Sequence, residues 1–208
     1  MKSIIIFFIS FLFIFNSSGQ TDFKADSSAN TNDSEISHLI DSAFKLDKNY
    51  DFEFRLWTKP SLVSYANVFI LTQKNKIWTA RFFEYYGNRT SKISERKVNQ
   101  SGLDSLWKRL VANQVLTLPI QDSLKAKMRM FVADTSQEFD EGDTYRQVSI
   151  MDGTAYYFEL ATKGKNRSYY YHCPKGYLKY YPNVEELYRA FMIIVLVRKY
   201  LGLNLVVC

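Results

Sequence analysis

Cysteine and histidine each occur only twice in this chain of 208 residues, so the commonest metal ligands are scarce. Two cysteines cannot complete a structural zinc site unaided, and two histidines add little. The sequence has no G-x-S-x-G, no H-E-x-x-H, no P-loop and no Rossmann glycine pattern, so no motif names an activity. No motif calls for a cofactor or a metal either. Between Ala133 and Asp143 the chain is acidic, but the calcium-loop pattern fails there. With Glu138 as first ligand, Gly142 would fall at the third ligand position. The formal charge of +6 is a mild excess, short of a nucleic-acid signature.

Long apolar runs are also lacking. The longest opens the chain, in MKSIIIFFISFLFIFNSSGQ, where Ile4 to Phe15 are interrupted only by Ser10. A bilayer span needs about 20 such residues. Lys2 ahead of the run, with Ser17 and Gly19 at the −3 and −1 positions, predicts a secretory signal peptide over 1–19. No cysteine stands near that cleavage site to carry a lipid anchor. Residues 20–33 are polar and small, and read as a disordered leader. The remainder, 34–208, is one domain's length. Export places the protein in a periplasm or outside the cell, where disulfides persist, so Cys173 and Cys208 are candidate partners. Closing that loop would contribute about 3–4 kcal/mol. Two free thiols and a dimer bridged through Cys208 are the rival readings.

Aromatic residues are plentiful, with 16 phenylalanines and 15 tyrosines, and they mark strands. Helical spacing of Ile36, Leu39, Ile40, Ala43 and Phe44 predicts a first helix. Phe52, Phe54 and Leu56 alternate with polar neighbours, as in a half-buried strand. Asn67–Thr72 and Ile77–Tyr86 flank Gln73–Lys76 as a hairpin with Leu71 opposite Trp78, and a weaker strand follows. Ser101 is expected to cap a helix carrying Leu103, Leu106, Trp107 and Leu110, and a second helix is expected near 122–132. Thr144–Ile150, Thr154–Thr162 and Arg167–Cys173 read as a meander whose first turn ends in a bulge at Gly153. A helix capped by Asn183 ends at Gly202. The expected architecture is α+β: an antiparallel sheet of about six to seven strands, in two meander groups, with helices packed on one face.

Strand alternation sorts the stretch RSYYYHCP, residues 167–174. With a four-residue loop before it, Tyr169, Tyr171 and Cys173 point to the core. Tyr170 and His172 then share the outer face with Glu159 and Tyr157. Glu159 across from Tyr170 and Tyr157 across from His172 would form a patch of carboxylate, phenols and imidazole. Glu159 and His172 are the weak acid–base candidates. Cys173 and His172 cannot be a nucleophile pair, because strand neighbours point to opposite faces. Around this patch, Lys175 and Lys179 stand with Tyr157, Tyr170, Tyr177 and Tyr180 as candidate binding residues. Cations among aromatic rings suit an acidic protein or an anionic glycan of the cell envelope. The leading expectation is a non-enzymatic binding protein such as an inhibitor, immunity factor or envelope accessory. A hydrolase using Glu159 and His172, or a structural envelope component, is the alternative.

Overall fold

The computed structural model describes residues 23–24, 34–46, 49–87, 91–131 and 145–204. The signal segment, most of the leader, the acidic stretch and Cys208 lie outside them. A six-stranded antiparallel sheet organises the chain, as the alternating aromatics lead one to expect. Its strands are β1 (Phe52–Pro60), β2 (Tyr65–Lys74), β3 (Ile77–Tyr86), β4 (Lys92–Arg96), β7 (Thr154–Thr162) and β8 (Asn166–His172). They stand in the order β4-β3-β2-β1-β7-β8. Two short strands, β5 (Met130–Phe131) and β6 (Tyr145–Arg146), pair with each other.

The central strand β1 carries large apolar groups on both faces, so burial demands cover on both. On one face Phe52, Phe54 and Leu56 join Phe69, Leu71, Phe82, Phe158, Tyr169 and Tyr171. Three helices supply the other half of that core: α2 (Leu103–Ala112), α3 (Pro174–Leu178) and α4 (Glu185–Tyr200). Each fully buried large apolar side chain there is worth about 1.5–3 kcal/mol. The opposite face bears Trp57, Val68, Ile70 and Phe83. It is covered by the N-terminal helix α1 (Ser34–Ala43), through Ile40 and the following Phe44. The helices therefore divide between the two faces. Trp57 and Phe83 beside Arg55 and Arg81 are the reason, because that face is too apolar in its centre to stay bare.

Several expectations about connection are corrected. The hairpin β2–β3 closes on two residues rather than four, Asn75 and Lys76, with φ of 50° and 65°. Two left-handed residues match the twist of the strands, and the tighter turn lets Lys74 pair with Ile77. Leu71 thus faces Ala80, not Trp78. The same tightening recurs at β7–β8, where Ala161 pairs with Asn166 and only Lys163 and Gly164 remain beyond Thr162 and Lys165. Phe158 faces Tyr169 and Tyr156 faces Tyr171. A shift of two residues keeps each side chain on its expected face but changes its partner.

The proposed strand before β7 does not form a hairpin with it. β7 pairs along its whole length with β1, from Phe52↔Thr162 to Pro60↔Thr154. Alternation specifies a face, whereas the choice of a neighbour about 100 residues away is made by packing. Gly153 sits instead against the β1–β2 turn, its carbonyl accepting from Ser61 N–H and Oγ. The helix expected near 122–132 is a single 3-10 turn, Gln121–Leu124, followed by β5. Gly102, at φ 75°, takes the cap position expected for Ser101, and Val184 that of Asn183. The end of α4 follows expectation. Gly202 at φ 65° donates to Lys199 O and Leu203 N–H to Arg198 O, the paired bonds of a Schellman stop.

Candidate functional site

The inward residues of β8 hold structure together. The Tyr169 hydroxyl donates to Val115 O at 2.6 Å and that of Tyr171 to Pro119 O at 2.8 Å. Arg167 joins them on the inner face, donating to Leu116 O and Leu118 O, with its guanidinium 4.9 Å from the Tyr169 ring. The His172 backbone N–H donates to Gln121 Oε1 at 2.6 Å. A single strand thereby satisfies a run of carbonyls in the irregular segment 115–121, which has no ladder of its own. Burial pushes the hydroxyl pKa of both Tyr169 and Tyr171 far upward, so both phenols stay protonated donors.

The outward residues do not assemble into an acid–base site. Tyr157 faces Tyr170, and their rings stack at 5.9 Å. Glu159 faces Ser168 and His172 faces Ala155, so four strand positions separate the carboxylate from the imidazole along the ladder. At about 3.4 Å per position that is about 14 Å, too far for both to serve one reacting group. Glu159 accepts from the Trp57 indole at 3.1 Å, and the Tyr170 hydroxyl donates to Asp122 at 3.2 Å. Burial lowers the pKa of His172, which favours the neutral imidazole.

A polar cluster that sequence reasoning missed lies on the same face nearer its centre. Arg55 meets Glu53 at 2.8 Å and Asp41 of α1 at 3.0 Å, with all three side chains largely buried. Burial works against the charged guanidinium, but Glu53 and Asp41 outweigh it and the pKa is raised. The alternation of Glu53 and Arg55 beside Trp57 was the available signal. It does not say that a helix 10 or more residues upstream brings the second acid.

Three of the candidate binding residues do come together. Cys173, at φ 44°, turns the chain out of β8, and Pro174 opens α3. Spacing of four then sets Lys175 and Lys179 on one side of that turn. With Tyr180, Ile150, Asp152, Cys173 and Gly176 they line a cleft of about 300 Å³. The cleft's far wall is held by phenols, since the Tyr181 hydroxyl accepts from Val148 N–H at 2.7 Å and that of Tyr177 from Ile150 N–H at 3.3 Å. Tyr177 is therefore buried and structural. Gly176 lies close under the Ile150 side chain, so a Cβ there, 2.7 Å from Ile150 Cδ1, would displace the end of that chain and reshape the cleft. Among the described residues neither Lys175 nor Lys179 has a carboxylate partner, and Tyr180 is exposed. Tyr157 lines a separate cleft of about 320 Å³ with Lys59, Ser61, Tyr65 and Tyr85.

Comparison with protein-family models and with curated proteins finds no match. Among the described residues no three His, Cys, Asp or Glu side chains gather as metal ligands. No helix of the described residues is long and apolar enough to cross a membrane.

Proposed function

We propose that the chain is an exported, non-enzymatic binding protein that engages a carboxylate-bearing partner at the Lys175–Lys179–Tyr180 cleft. The carrying observation is that two ammonium groups with no acidic partner among the described residues share a concave site with an exposed phenol and one acid, Asp152. Unpaired cations cost nothing in water, but their gathering at a cleft favours an anion over a neutral ligand. Polyglutamate and an oligogalacturonate, each immobilised, serve as protein-like and glycan-like probes. Retention of the full chain should fall with rising salt and fall further with Lys175→Glu/Lys179→Glu. Retention unchanged by that double reversal would reject the site.

Export rests on the n-region, apolar run and cleavage-site spacing of residues 1–19. A mature chain beginning at Gln20 by mass spectrometry is the corresponding result. A Cys173–Cys208 disulfide belongs to the same reading, and would tie the cleft's floor to the chain end.

A further inference from the structure

Large exposed apolar side chains collect at one end of the sheet. Leu62 and Val63, in the turn between β1 and β2, are 78% and 56% exposed, and Met151, just ahead of β7, is 84% exposed. The two turns lie side by side, because Ser61 donates its N–H and Oγ to Gly153 O at 2.8 and 2.7 Å. The lysine cleft belongs to this same end. Cys173 N–H donates to Thr154 O at 3.0 Å, and Ile150 and Asp152, on either side of Met151, form part of the cleft wall. Val63 lines the second cleft on the other flank together with Lys59.

An apolar ridge thus runs between two clefts. Among the described residues the lysine cleft sets Lys175 and Lys179 against one acid, Asp152. Among the described residues Leu62, Val63 and Met151 belong to neither core cluster. Scattered exposed apolar groups need no explanation, but apolar groups gathered on two adjoining turns and flanked by charge mark a protein contact. Its chemistry selects the partner's class. A glycan or a free anion would pair with the lysines and leave the aliphatic ridge unused.

We propose that this end of the sheet docks a protein segment that presents an apolar side chain between carboxylates. The apolar group covers Leu62 and Met151 while an acid pairs with Lys175 or Lys179. The inference rests on the anionic-partner reading above and adds the partner's class.

The test selects a random peptide library displayed on phage against the immobilised full chain. Enriched peptides are then titrated by fluorescence anisotropy into the unaltered protein, Leu62→Ser/Met151→Ser and Lys175→Glu/Lys179→Glu, with an oligogalacturonate as glycan probe. All four positions are exposed, and unchanged circular dichroism and thermal midpoint verify folding. Enriched peptides should combine Asp or Glu with Leu, Phe or Trp, and each double variant should weaken them about tenfold or more, as loss of an interface anchor does. Peptides that bind Leu62→Ser/Met151→Ser undiminished overturn the ridge and leave the lysine cleft standing. Peptides indifferent to Lys175→Glu/Lys179→Glu overturn both. An absence of enrichment, or tighter binding of the oligogalacturonate than of any peptide, overturns a protein partner.

Discussion

Arg167 shows how a residue type can suggest one role and fill another. In the sequence it heads a stretch of tyrosines, and arginine among tyrosines is a composition favoured at interfaces. In the fold it is only 8% exposed and its guanidinium serves Leu116 O and Leu118 O. Arg167→Leu should therefore destabilise the protein by about 2–4 kcal/mol, because two buried carbonyls lose their donors, and urea unfolding would measure it. A loss below 1 kcal/mol would mean that water replaces the guanidinium there.

His172 offers a second check at this scale. Its pKa is lowered by burial, so the folded state prefers the neutral ring and the unfolded chain binds the proton more readily. Stability should fall as pH drops below the unfolded value of about 6.5 and level off once the folded value is passed. His172→Gln should flatten that part of the stability profile, and an NMR titration should find the ring titrating below the unperturbed value.

Among the elements, α1 is the one whose place is least determined by its neighbours in sequence. Its inner surface offers Ile40, with Phe44 just beyond, to Trp57, Val68, Ile70 and Phe83, and Asp41 fastens it to Arg55. The Phe44 and Phe83 rings lie 4.7 Å apart. Ile40→Ala should cost about 2–4 kcal/mol, measured by urea unfolding. Amide exchange should then speed up throughout α1 while β2 and β3 keep their protection. Equal acceleration in sheet and helix would mean that α1 is integral to the sheet's own stability.

The open edge of β3 is guarded by a side chain. β4 pairs only with Phe82–Tyr86, and the Gln100 amide takes over next to it, accepting from Ala80 N–H at 2.9 Å and donating to Ala80 O at 2.8 Å. Gln100→Ala leaves both groups without that partner. The expected outcome is destabilisation of about 1–3 kcal/mol with increased self-association by light scattering, since an unpaired edge recruits other strands. No change in either quantity would assign the edge's protection to other groups.

For the whole molecule, the decisive contact is the pairing of β1 with β7, which joins residues about 100 positions apart. Such non-local pairing must close a long loop before any contact rewards it, so folding is expected in milliseconds to seconds. Stopped-flow refolding measures this, and microsecond relaxation would be inconsistent with the sheet order. The division of the sheet's two faces also has its functional consequence at this scale. Among the described residues, helices take most of one face and the centre of the other and leave the loop end and the flanking clefts uncovered.

Much of this was determined by the sequence alone. Alternation placed Phe52, Phe54, Tyr169 and Tyr171 inward and Tyr157, Glu159, Tyr170 and His172 outward, because a strand's side-chain period is two whatever its partner. The same rule survived both tightened hairpins, since a two-residue shift preserves the face. The α+β class and the end of α4 at Gly202 were legible for equally local reasons. Tertiary structure alone decided who stands opposite whom. It separated Glu159 from His172, set β7 beside β1, and brought Lys175, Lys179 and Tyr180 to one cleft. Register and neighbour choice depend on turn geometry and on packing between distant segments, and neither is encoded in the periodicity of any single stretch.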